Sequence, residues 1–439
     1  MLTVLINLSK YVLMFLILFY TLICFWINAV KETKAQSRLL TAQKIIMTAV
    51  FVISYLLIFY YAYSFLTLIL FMLELLYLLV FPALFNTVYQ HASGVITNNM
   101  TFMLSIGFIM ITRLSASKSL KQFIIVIIGS VLFFFAPLII CRKKFILKSG
   151  VFFSILGLLL LGITLVLGKT SFGANLSYTI AGITFQPSEF VKILFVLSVA
   201  AMLQKADSIS KLIFTGIISG LHVLILVMSS DLGTALILFV VYLIMAYIFT
   251  GRFIVLAGGL MLGSAASVLA YKIFSHVRVR VSAFLNPWVD IDNKGYQITQ
   301  SLFAIGTGGI FGMGLYQGLP ESIPVVEKDF IFSAISEEYG MIFAICLILI
   351  CMSTFLEIMK ISAGCKDRLY KLISSGFGVL YIFQCFMTIG GAIKFIPSTG
   401  VTFPFISYGG SSILSSLLMF SIIQTVKIRQ EADNEKKQS

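Results

Sequence analysis

About thirteen long apolar runs, most of them near 20 residues, decide what this chain can become. They fall at residues 4–30, 45–63, 66–88, 98–113, 120–141, 149–168, 188–204, 211–228, 231–250, 253–274, 330–357, 371–393 and 409–427. A run of that length spans the hydrocarbon core as a helix. Lipid offers no partner to a backbone N–H or C=O, so each span must close its own hydrogen bonds. The expected fold is an all-α, polytopic membrane bundle. With 59% hydrophobic and 11% charged residues and a mean hydropathy of +1.05, no soluble class fits. The run at 98–113 is the weakest, being short and preceded by Asn98 and Asn99. The first run is too long for a cleaved signal and lacks a basic leader, so it reads as a retained anchor.

The net charge of +14 does not point to nucleic acid, because the basic residues sit in short loops between spans. One set of alternate loops holds most of the 31 Lys and Arg residues, among them Lys31, Lys34, Arg38, Arg142, Lys143, Lys144, Lys366 and Arg368, with Arg429 beyond the last span. The positive-inside rule puts that set and the C-terminus in the cytoplasm. The N-terminus and the loops 169–187, 275–328 and 394–408 then lie outside. The six cysteines form no CxxC pair, so neither a disulfide frame nor a zinc site is expected. No Gly-rich nucleotide loop is present. Chemistry on the outer face therefore needs a donor already activated and carried in the membrane.

The outer segment 284–340 is the one long stretch that is not continuously apolar. In an acid-poor chain it gathers Asp290, Asp292, Glu321, Glu327, Asp329, Glu337 and Glu338, with Trp288 and a Gly-rich turn at 306–309. A polar loop between spans is where chemistry on a lipid-borne substrate belongs, and Asp290 reads as its working residue. Asp290 and Asp292, two positions apart, can hold one divalent cation such as Mg²⁺; equally, one is a general base and Asp292 a turn former before Asn293. Arg278 and Arg280 either grip phosphate oxygens or snorkel at the interface. Ile298 to Ile305 reads as a short amphipathic helix.

Elsewhere, Glu189 and Lys192 form a charged i, i+3 pair inside a span, which is costly and points to function. Asp231, with Ser229 and Ser230 as caps before it, reads as an ordinary helix start. Glu338 reads as part of a buried network with a basic or hydroxyl residue of another helix. At 390–414 the prolines and glycines break the helix beside Lys394, with Ser411 and Ser412 capping the last span; broken backbone at this depth lines a cavity or plugs one.

FQPSE (185–189) with Lys192, DLGTA (231–235), NPW-x-D (286–290) with GYQ-x-x-QS and AIG-x-GG, DFIF with EE-x-G, and TGV-x-x-PFISYGGSS (399–412) follow one another in this chain. In this order they resemble the SEDS proteins (shape, elongation, division and sporulation) of the RodA/FtsW/SpoVE type, over roughly residues 98–428. The resemblance implies a ten-span core, leaving residues 1–97 as an added module of about three spans and 429–439 as a polar cytoplasmic tail. It implies a peptidoglycan glycosyltransferase that polymerises lipid II on the outer face, in elongation, division or sporulation. Its partner would be a class B penicillin-binding transpeptidase, and no organic cofactor is expected. The family's catalytic aspartate falls on Asp290. Glu189, Lys192, Arg278, Arg280, Gln297, Lys394 and Ser411 are the candidates to hold substrate and diphosphate, and Asp290 with Asp292 the candidate metal pair. Ile291 and Ser230 stand where the family usually has Pro, and Ser177-Tyr178 where it has Arg-Trp, which implies a specialised paralogue. Two other classes remain: a flippase of lipid-linked precursors, and an inactive scaffold that recruits a transpeptidase.

Overall fold

The computed structural model describes residues 2–30, 32–171, 174–180, 183–291 and 295–438. Among them, 13 helices are long and apolar enough to cross a membrane. The first three are α1 (Leu2–Ala29), α2 (Thr33–Ala62) and α3 (Phe65–Val88). Then come α4 (Gly94–Leu114), α5 (Ala116–Ile140), α6 (Lys143–Leu167), α7 (Pro187–Gln204), α8 (Ile209–Met228), α9 (Leu232–Thr250) and α10 (Phe253–Ile273). Two shorter helices, α11 (Ser275–Leu285) and α12 (Tyr296–Gly308), occupy the long loop. The chain closes with α13 (Ile331–Gly364), α14 (Arg368–Ala392) and α15 (Gly410–Gln438), so the last helix continues through the segment expected to be a polar tail. Among the described residues, the loop after α6 carries the strands: three short antiparallel ones, β1 (Lys169–Ser171), β2 (Ala174–Ile180) and β3 (Ile183–Phe185), in the order β1-β2-β3.

The weakest sequence run turns out to be the central helix. The α4 window is 94% buried, whereas that of α10 is not buried at all. Hydropathy reports how well a helix suits lipid, and α4 meets protein on every side. Its polar residues are the contacts that dock the first three helices. Asn99 Nδ2 donates to Thr354 Oγ1 of α13 at 3.1 Å, and Asn99 Oδ1 accepts from Tyr20 Oη (3.1 Å) and Cys24 Sγ (3.3 Å) of α1. Asn98 Nδ2 donates to Leu40 O and Gln43 Oε1 of α2 at 3.0 and 3.1 Å. From α3, the buried Glu74 accepts from Ser119 of α5 at 2.9 Å and from Tyr55 of α2, whose hydroxyl lies 2.8 Å from Thr112 of α4. Such bonds hold helices together where lipid and side chain are equally apolar and burial drives little.

Contacts at the two ends of the bundle fix which loops share a side. At one end Lys143 pairs with Asp367, and Arg429 Nη1 donates to Cys141 O at 2.6 Å. At the other, Lys10 near the start of α1 donates to Gly312 O at 3.3 Å, and Lys118 pairs with Glu327. The N-terminus therefore shares an end with the 275–328 loop, and the C-terminus lies at the opposite one, as the alternation of charge requires.

Candidate functional site

Asn286 ends α11 at φ −142° and ψ 84°, outside the helical region, and Pro287–Asp290 winds into a single 3₁₀ turn. Pro287 is buried; Trp288 lies over α12 with its ring 5.8 Å from that of Phe303. The turn is closed from below by Gly295, whose N–H donates to Asp290 O at 2.9 Å. A Cβ at Gly295 would lie 2.0 Å from Pro287 O, so only glycine lets the chain pass here. Asp290 ends this turn half-buried at the surface of the loop. Asp292 lies outside the described residues. Gln297 is half-buried in the first turn of α12. That helix is fixed on α13 by close backbone approach, since a Cβ at Gly308 would come 2.2 Å from Ser336 O. Ser301 Oγ ties it to Ala392 O of α14 at 2.8 Å.

At the same end, three motifs far apart in sequence lock together. Pro187 and Glu189 start α7 as expected for a Pro-first, acid-first helix. Gln186 N donates to Ser411 Oγ at 3.0 Å, and Ser188 Oγ donates to Asp231 Oδ2 at 3.0 Å. Asp231 itself caps α9, accepting from Thr234 N at 3.1 Å; Ser229 and Ser230 precede the cap rather than forming it. Ser411 and Ser412 likewise belong to the first turn of α15, and their hydroxyls bind other segments, Ser412 meeting Thr402 at 2.6 Å. Gly233 lies so close to the 394–408 loop that a Cβ would touch Val401 at 2.4 Å.

Lys192 is 2% exposed and is shared between Glu189 Oε1 (2.9 Å) and Gln384 Oε1 (3.0 Å), while Glu189 Oε2 accepts from Ser415 at 2.8 Å. The pair lines a small cavity with Leu380, Gln384, Ser415 and Met419. Lys192 is thus a buried charge compensated on the spot by Glu189 and Gln384.

The more accessible cations lie on the loops. Arg278 is exposed on α11, and Lys394, half-buried, adopts a left-handed φ of 56° just after α14. Arg280 is half-buried and donates to Ser398 O at 3.3 Å, joining α11, which packs on the Asp290 turn, to the 394–408 loop. Burial works against the Arg280 charge, and Asp231 and Asp329 support it. Asp329 feels the reverse: burial pushes its carboxyl up to about 6 although Lys328 and Arg280 draw it down. His276 Nδ1 lies 3.3 Å from Ser230 Oγ, and burial followed by Arg280 keeps that imidazole below its usual range. Among the described residues, no three His, Cys, Asp or Glu side chains gather as metal donors; Asp292, the second member of the expected metal pair, lies outside them.

One network was only half visible in sequence. The basic partner expected for Glu338 on another helix is supplied by Arg113, in the last turn of α4. Its Nε donates to Glu338 Oε1 (2.9 Å), Nη1 to Glu321 Oε1 (3.1 Å) and Nη2 to Gly318 O (3.2 Å), and its guanidinium lies 4.5 Å from the centre of the Tyr316 ring. Glu338 Oε1 also takes Tyr316 N, and Glu337 Oε1 takes Leu319 N. Between them, Met313 N and Gly314 N bond to the carbonyls of Glu337 and Glu338, at 2.9 Å each. These carbonyls are open because α13 breaks at Gly340, at φ 89° and ψ 170°. A lone arginine at a span end gives no signal of its own, as such residues usually snorkel.

The fold and site define a class: a multi-pass membrane protein whose motif loops assemble at one end around a buried ion pair and a loop carboxylate. The chain belongs to the FtsW/RodA/SpoVE cell cycle protein family, whose profile matches residues 94–432. The peptidoglycan glycosyltransferase RodA of Mycobacterium bovis is 34% identical over 273 residues, covering 58% of this chain and 58% of that protein. The chain thus spans less than two thirds of the length of that relative. A probable peptidoglycan glycosyltransferase FtsW of Aliivibrio salmonicida is 33% identical over 290 residues, covering 63% and 72%. A solved chain from work on a peptidoglycan synthase complex that coordinates polymerization and crosslinking shares the fold, with TM-score 0.67 and 21% identity over 77% of this chain and 98% of that one. RodA of Thermus thermophilus gives a TM-score of 0.56 at 20% identity, over 76% and 96%.

Proposed function

We propose that this protein polymerises lipid II into glycan strands on the outer face of the cytoplasmic membrane, with Asp290 as general base. The observation that carries the reading is the meeting at one bundle end of the Asp290 turn, Arg280 and the interlocked FQPSE, DLG and PFISYGGSS segments. Two relatives named as glycosyltransferases, one of them as probable, support it.

Glycosyl transfer needs a base at the acceptor and charge relief at the leaving group. The half-buried Asp290 carboxylate takes the proton of the acceptor sugar hydroxyl. That oxygen attacks the anomeric carbon of the donor from the face opposite the phosphate. The carbon–oxygen bond to phosphate breaks, and the lipid diphosphate leaves with the electron pair. Arg278, Arg280 and Lys394 hold the diphosphate from the loops. Gln297 and Ser411 offer hydrogen bonds, and the Lys192–Glu189 pair supplies the polar floor. A divalent cation such as Mg²⁺ would accompany the diphosphate itself. A class B penicillin-binding transpeptidase is the proposed partner, in keeping with the synthase complex of the structural neighbour.

The test is polymerisation by the purified protein with lipid II already accessible in detergent. Wild type should yield glycan strands and Asp290→Ala none, at equal expression. A flippase would make no glycan there in either form, and an Asp290→Ala protein as active as wild type removes Asp290 from the chemistry.

A further inference from the structure

The first three helices pack on α4, α5 and α13, and two zones stand out in that interface. One is the polar seam along α4. The other lies at the outer end, where they hold the segment that returns from α12 to α13. Tyr61, at the end of α2, stacks on Tyr316 with ring centres 5.1 Å apart and planes 13° from parallel. Gln317 Nε2 donates to the Tyr61 hydroxyl at 2.7 Å. Ser54 of the same helix lies 3.1 Å from the Tyr339 hydroxyl, one residue before the break in α13. From α1, Lys10 donates to Gly312 O, and the Tyr11 ring lies 5.6 Å from that of Phe311.

The held segment is not relaxed by itself. Tyr316 sits at φ 67°, a left-handed conformation that a bulky residue adopts only under outside constraint. Its ring is clamped between Tyr61 and the Arg113 guanidinium, and its N–H is held by Glu338. Upstream, this segment continues directly into α12, which begins six residues after the proposed base.

We infer that the N-terminal helices act as a built-in brace on the catalytic loop, with Tyr61 as a positioning residue that fixes the return segment, and through α12 the Asp290 turn. The inference rests on the proposed glycosyl transfer for its catalytic consequence, and on contacts alone for its structural one. Tyr61 touches no reacting group, so its loss should leave substrate binding nearly intact and slow turnover, because a turn that samples other positions spends less time in the reactive one.

The experiment uses the full-length protein carrying Tyr61→Ala or Tyr61→Phe. Polymerisation of lipid II is measured over a range of concentrations, and backbone hydrogen exchange is followed across residues 309–325. Tyr61→Ala should lower kcat about tenfold with KM within about twofold; Tyr61→Phe, which keeps the stack, should retain most of the rate. Exchange at Met313, Gly314, Tyr316 and Leu319 should quicken in Tyr61→Ala, while α4 and α14 keep their wild-type protection. Wild-type protection of 309–325 in Tyr61→Ala overturns the brace whatever the activity. Faster exchange with unchanged kcat overturns the catalytic role. Wild type that makes no glycan, with exchange responding as stated, removes the proposed activity and leaves the brace standing.

Discussion

Arg113 shows how one residue organises a site from a distance. Its side chain is 7% exposed, and that of Glu338 is fully buried. The planar guanidinium serves a carboxylate on α13, a loop carboxylate and a loop carbonyl from three separate nitrogens, a spread that lysine's single nitrogen cannot match. Removing it strands the Glu338 carboxylate without a counter-charge. Arg113→Ala should therefore lower the unfolding free energy by about 3–5 kcal/mol, and adding Glu338→Gln should recover part of that loss. Chemical unfolding of the two variants in detergent checks this; an Arg113→Ala protein as stable as wild type would show that the ion pair contributes nothing.

At the scale of elements, the break in α13 is what lets the segment returning from α12 enter the bundle. Helical carbonyls are normally spent on the next turn, but at Gly340 the ladder stops and the carbonyls of Glu337 and Glu338 accept from Met313 and Gly314. In return, Met341 N donates to Gly309 O at 3.0 Å. A Cβ at Gly340 would sit 2.3 Å from Gly312 N, in a backbone region closed to side chains. Gly340→Ala should expel segment 309–314, seen as new proteolytic cleavage near residue 312 together with loss of the proposed glycan synthesis; a variant with the wild-type cleavage pattern would mean that the loop does not depend on the break. The EE-x-G run was visible in sequence, and so was the need of Glu338 for a basic partner. Which helix supplied that partner was not, because Arg113 lies 225 positions away. In the same way, Asn98 and Asn99 make their run less apolar, whereas their side chains join α1, α2 and α13 to the centre of the protein.

At the scale of the whole molecule, the helix count and the alternation of charge assign sides, and an existing cysteine reports on them. Cys141 is exposed beside the Arg429 end, the end proposed to be cytoplasmic. A membrane-impermeant maleimide should miss Cys141 in intact cells and label it after permeabilisation, whereas a cysteine introduced at the exposed Ser282 of α11 should react in both. Labelling of Cys141 in intact cells would invert the assignment.

Sequence alone determined the all-helical membrane class, the span number to within the boundaries of each run, the motif order and the carboxylate turn, because hydrophobic length and local turn chemistry act over neighbouring residues. Tertiary structure alone decided which helix is central, how Lys192 is compensated, where Ser188, Asp231 and Ser411 meet, and that the first three helices reach the outer loop. Those outcomes depend on which buried polar group finds its partner across hundreds of residues, and a linear pattern carries no record of that pairing.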